Sequence, residues 1–120
     1  MTADERCNLV LSFARTLFIN GQATDQTVTA AERLGHVLGL RAKVMARWGV
    51  LQLQPDSNAG AFCQIPADPA GVDMDRVASV MRAIADVESG RLAPEAAMKA
   101  IGVISQAPDR KSTRLNSSHI

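Results

Sequence analysis

The feature that most limits how this chain can fold is a change of hydrophobic period, made twice. From Ala3 to Asn20 the apolar residues Cys7, Val10, Phe13, Ala14, Leu17 and Phe18 recur every three or four positions, which is the spacing of one helical face. Between Arg41 and Trp48 the period drops to two. Ala42, Val44, Ala46 and Trp48 then alternate with Arg41, Lys43, Met45 and Arg47, as a half-buried strand requires. Beyond Gly71 the longer period returns with Val77, Val80 or Met81, Ile84 and Val87.

Turn and capping residues divide these runs into elements. Asp4 and Glu5 suit the positive end of a first helix, and Asn20-Gly21 stops it, because glycine accepts the left-handed conformation past a helix end. Thr24 or Asp25 can cap a second helix with Val28, Ala31, Leu34 and Val37 or Leu38 inward, ended by Gly39. The short link makes the two helices antiparallel neighbours. VLQLQ and AFCQIP add two more strands around the turn PDSNAG, and Gly49 marks a hairpin corner. Asp73 caps a third helix that stops at Gly90, and Pro94 opens a fourth with Ala97, Ile101 and Ile104 inward and a Glu95/Lys99 pair on its surface. The expected fold class is α+β: two N-terminal helices, a short antiparallel three-stranded sheet and two C-terminal helices, with the helices on one face of the sheet.

Candidate chemistry is sparse. His36 has Glu32 one turn earlier, an arrangement able to orient an imidazole, but no nucleophile lies nearby in sequence and a surface histidine is the expectation. Asp56, Asp68, Asp73 and Asp75 lack the ligand spacing of a calcium loop, so loop and cap duties account for them. Cys7 and Cys63 form no Cys-x-x-Cys motif and read as small buried hydrophobes, though sequence leaves a bridge between them open. Cys63, between Phe62 and Ile65, is expected to be too buried for a nucleophile. No catalytic residue, cofactor or metal is expected. The one surface feature singled out is Arg47-Trp48-Gly49, where a tryptophan at a strand corner offers an interaction patch, although a core anchor is the commoner use of such a residue.

With these elements placed, the chain resembles the N-terminal soluble domain of the threonine/serine exporter family. The resemblance is carried by LSFARTLFINGQATDQTVTAAERLGHVLGL, AKVMARWGVLQLQ and IPADPAGVDMDRVASVMRAIADVESGRLAPEAAMKAI, which together span roughly residues 8 to 104. Its details are the Asn20-Gly21 corner followed by Thr24, the Arg47-Trp48-Gly49 corner, the Pro69-Ala70-Gly71-Val72-Asp73 lead-in to the third helix, and Gly90-Arg91-Leu92 before Pro94-Glu95-Ala96. Gln22-Ala23 departs from an Ala-Glu type pair. The resemblance implies the domain of a bacterial, proton-driven exporter of threonine and serine at the cytoplasmic face of the inner membrane. Its partner would be the transmembrane domain or a membrane subunit, with oligomerisation open. It implies no enzyme. The contrasting expectations are a stand-alone α+β binding or regulatory module and, behind it, a small hydrolase.

The closing stretch has no periodicity. Residues 109–119, DRKSTRLNSSH, resemble the translation of a common short-read sequencing adapter residue for residue. The expected division is therefore a domain over 1–108 and a disordered, non-native tail over 109–120, with the exporter truncated before its first membrane helix. Omitting 109–120, which holds Arg110, Lys111 and Arg114 against Asp109, moves the formal charge from +1 to −1. Without excess positive charge, nucleic acid is not an expected partner. Acids near the N-terminus argue against a secretory signal, and no apolar run approaches the ~20 residues of a membrane span.

Overall fold

A computed structural model describes residues 2–47, 49–55 and 63–106. The elements follow in the order α1 (Ala3–Ile19), α2 (Thr24–Val37), β1 (Ala42–Arg47), β2 (Val50–Pro55), β3 (Cys63–Pro66), α3 (Met74–Glu88) and α4 (Pro94–Gln106). The strands form one antiparallel sheet in the order β1-β2-β3. The α+β arrangement expected from the two changes of period is the one found.

Register places Val44 beside Leu53 and Leu53 beside Cys63, with Ala46, Leu51 and Ile65 forming the next row. Because side chains alternate across a strand, these rows share one face. Val44, Leu51 and Leu53 are buried there, whereas Lys43, Arg47, Gln54 and Gln64 on the other face are exposed. The helices form two tiers: α1 and α2 contact strands, while α3 packs on α1 and α2 and α4 on α1 and α3.

The central element is α1. It touches α2, α3, α4, β2 and β3, and so it is buried on more than the single stripe its sequence suggests. Leu9, Leu11 and Thr16 join Cys7, Val10, Phe13, Ala14 and Leu17 in the interior, while Phe18 is only partly buried. Its first turn is fixed by Thr2 and Glu5. The Thr2 hydroxyl accepts from Glu5 N at 3.1 Å and Glu5 Oε1 accepts from Thr2 N at 2.9 Å, a reciprocal capping box. Those hydrogen bonds hold the Glu5 carboxyl below its ordinary pKa.

The second helix departs from expectation at its start. Ala23, not Thr24 or Asp25, occupies the N-cap and makes no side-chain bond. Its inward face also turns slightly: Thr27, Ala30, Ala31, Leu34 and Leu38 are buried, whereas Val28 is only partly buried and Val37 is 41% exposed. In α3 the Asp73 cap is present, its carboxylate accepting from Arg76 N at 3.0 Å. Val77, Val80, Ile84 and Val87 face inward as spaced, and Ala97 and Ile101 anchor α4 while Ile104 is partly buried. The Glu95/Lys99 pair is not among the ion pairs of the described residues.

Candidate functional site

The Arg47-Trp48-Gly49 corner is the turn of the β1–β2 hairpin. Arg47 pairs with Val50, which leaves two residues for the turn and matches the commonest hairpin connection. Trp48 lies outside the described residues. Gly49 has φ +65°, the left-handed conformation that favours glycine, and a Cβ there would meet Asp68 Oδ1 at 2.8 Å, the movable end of an exposed side chain. Its carbonyl accepts from Ala67 N at 2.9 Å. Arg47 remains exposed.

Residues 67–73 run from this corner to the Asn20-Gly21 corner and close it as well. Ala70 N donates to Ile19 O and Asp73 N to Asn20 O, each at 2.9 Å. Two carbonyls at the C-terminus of α1, where the helix itself supplies no donor, are thereby satisfied. Asn20 is buried and its Nδ2 donates back to Thr16 O at 2.7 Å. Gly21, at φ +101°, would place a Cβ 3.3 Å from Val72 Cα. Three stretches far apart in sequence thus meet in one strap, which also leaves Val72 and Met74 exposed at 63% and 53%.

The other candidate residues do not converge on catalysis. His36 borders a shallow hollow with Thr29, Glu32, Arg33 and Glu88, which contains neither cysteine. Glu32 does not serve the imidazole as a dedicated partner, because its Oε2 accepts from Val44 N at 3.0 Å and caps the open edge of β1. Arg33 and Glu88 form an ion pair on the rim. Cys7 and Cys63 are both free thiols, and they face one another across the α1–β3 contact. Burial, reinforced by the neighbouring Cys63, pushes the Cys7 thiol up from 9.0 to about 11, opposite to what a thiolate nucleophile needs. Asp73 is occupied as a cap, and no group of three metal-capable side chains occurs among the described residues. Asp56, Phe62 and His119 lie outside those residues.

A cavity of about 430 Å³ opens where four helix ends meet, a feature no local motif announces. The starts of α1 and α4 and the ends of α2 and α3 contribute to it, through Arg6, Glu95, Leu38 and Val87 among others. The Gly90-Arg91-Leu92 step forms part of its wall. Arg91 N and Leu92 N both donate to Asp86 O, at 2.9 and 3.1 Å, and this folds the step back against α3.

The corners that carry the family resemblance therefore occupy coherent places in one fold. The sequence matches the family model described as "Putative threonine/serine exporter" over residues 8–118. The chain belongs to the threonine/serine exporter family. Its members are transporters, and the family is named for the amino acids they move. No curated protein and no solved structure matches the chain. Among the described residues no helix is long and apolar enough to cross a membrane.

Proposed function

We propose that residues 1–108 form the N-terminal, cytoplasmic-face domain of a proton-driven exporter of threonine and serine in a bacterial inner membrane. The transmembrane pathway is carried by a part of the protein outside residues 1–120. The observation that carries this reading is the family match over residues 8–118, together with the resemblance to a soluble domain that precedes a membrane bundle. The interaction patch for the membrane part, or for a partner membrane subunit, is the hairpin corner at residues 47–49.

Residues 109–119 are read as translated adapter. The match continues to residue 118 and so does not itself mark the boundary at 108; the support is the residue-for-residue correspondence. An independent read of the locus tests both points. Hydrophobic segments after codon 108 are expected, and a stop codon there with none downstream would refute the exporter-domain reading. Deleting the intact gene should slow threonine efflux from loaded cells, and unchanged efflux would remove the assigned substrate. In the intact protein, Arg47→Glu should lower efflux without altering expression. Wild-type efflux in that variant would move the contact elsewhere.

A further inference from the structure

We infer that Cys7 and Cys63 form a site of reversible oxidation, closing to an intramolecular disulfide when a peroxide reaches Cys63. They are the only two cysteines of the chain, and both are free thiols. Register places Cys63 beside Leu53 in the row that ends at Val44, on the sheet face that the helices cover. Cys7 is buried on α1, and α1 packs directly against β3. The inference stands on this contact and not on the exporter reading.

A second tie between the same elements fixes how they run past each other. Arg15 Nε donates to Pro66 O at 2.9 Å, and Ser12, Arg15 and Thr16 share a hollow with Ile65. From Arg15 back to Cys7 the helix covers about 12 Å. From Pro66 back to Cys63 the strand covers about 10 Å. The two steps match in length, and a hydrogen bond between the two thiols at their far end shows α1 and β3 running in the same sense. The alignment that seats Arg15 on the end of β3 therefore brings Cys7 to its beginning.

Exposure divides the roles. Cys7 is 3% exposed and held protonated by burial, whereas Cys63, expected from its sequence neighbours to be buried, is only partly so and meets solvent. Cys63 Sγ, having lost its proton to water, attacks one oxygen of the peroxide; the O–O bond breaks, a sulfenic acid forms and hydroxide leaves, to be protonated to water. Cys7 Sγ then attacks the Cys63 sulfur. The S–S bond forms, the S–O bond breaks, and the departing hydroxide carries off the Cys7 proton as water. With hydrogen peroxide, two thiols together lose two electrons and one peroxide is reduced to two water molecules. The bridge encloses α2, β1 and β2 in one covalent loop, which stabilises the fold chiefly by restricting the unfolded chain. In a reducing compartment such a pair rests open and closes only when an oxidant arrives.

The experiment treats the reduced, full 120-residue chain with hydrogen peroxide and follows its intact mass without reductant. The chain should lose two hydrogens while staying monomeric, and the tryptic peptide that begins at Cys7 should be joined to the one that holds Cys63. The midpoint of thermal unfolding should rise by on the order of 10 °C, and dithiothreitol should return it to the starting value. Cys7→Ala, which removes the second thiol, should leave a Cys63 sulfenic acid that dimedone traps. Cys63→Ala should react with peroxide at least about tenfold more slowly than the parent, because its one thiol is buried. Two alkylatable thiols persisting after glutathione in the same solution has been fully oxidised would overturn the inference. So would a dimer bridged through Cys63 of two copies in place of the internal bond, or dimedone labelling of Cys7 with Cys63 left free. A bridged chain whose unfolding midpoint falls would also overturn it, since the two thiols would then have to leave their native contact to join.

Discussion

The strap at residues 67–73 and the cavity at the helix ends both gather residues that make this chain look like its family, yet they use them in opposite ways. In the strap the groups satisfy one another: Ile19 O and Asn20 O receive amides, Gly49 O receives another, and Gly21 and Gly49 give way to Val72 and Asp68. Around the cavity Arg6 and Glu95 both contribute to the lining and form no ion pair among the described residues. A motif whose polar groups are all answered within the chain needs no function to explain it. The charges that line the cavity are instead answered by solvent, Glu95 being exposed and Arg6 half-buried.

The sharpest way to break this comparison is a matched pair of glycine substitutions. Gly21→Ala meets both a positive φ and Val72 backbone at 3.3 Å, and should cost about 2 to 3 kcal/mol. Gly90→Ala has a positive φ but nothing within 4 Å of the added Cβ, so about 1 kcal/mol is expected. Urea denaturation of the two variants measures the difference. Equal losses would mean that the strap does not press on the α1 corner as described.

Neighbouring residues of α1 turn to different parts of the fold, since Arg6 lines the cavity while Cys7 faces Cys63 on β3, outside both the cavity and the strap. The Cys7 thiol ionises near 9.0 in the unfolded chain and at about 11 in the folded one. Between those values the folded state retains a proton that the unfolded state has lost. Stability is therefore complete below pH 9 and declines as pH rises toward 11, by on the order of 2 kcal/mol. Unfolding free energies measured across that interval should show the decline, and Cys7→Ala should flatten it. A slope that survives the substitution would place the alkaline loss elsewhere.

A smaller effect is expected at the strap's far end. Asp73→Ala removes the carboxylate that accepts from Arg76 N and should lower stability by about 1 kcal/mol. Exchange of the first α3 amides should quicken, while amides at the start of α4 keep their protection. Matching acceleration in both helices would show that the strap and the cavity open as one unit.

What was legible in the sequence follows from how local each signal is. Periodicity located all seven elements, since alternation and the helical repeat are properties of neighbouring residues. It could not show that Leu9 and Leu11 are buried as deeply as Val10, because that depends on α1 being enclosed by five other elements. Nor could it show that Ala23 would stand where a capping Thr24 was expected, or that Thr27 would be buried without a hydrogen-bond partner for its hydroxyl among the described residues. The glycines at 21 and 49 were recognisable as corners, but what they approach lies in residues 67–73. Glu32 was read against His36, its neighbour on the helix, when its acceptor is used by Val44 N on β1. The cavity is the extreme case, with one charge at residue 6 and the other at 95.

The finest test concerns packing at the cavity. Arg6 and Glu95 form no ion pair among the described residues and Glu95 is exposed. Removing either charge should therefore leave stability within about 0.5 kcal/mol of the parent, as at ordinary surface positions. Thr2 and Glu5 hold the first turn of α1 without Arg6, so its amides should also keep their exchange protection in Arg6→Gln. A loss well above that range would show that Arg6 helps to hold the helix ends together. Its presence in the wall would then be structural, like the glycines of the strap, and the contrast between the two regions would disappear.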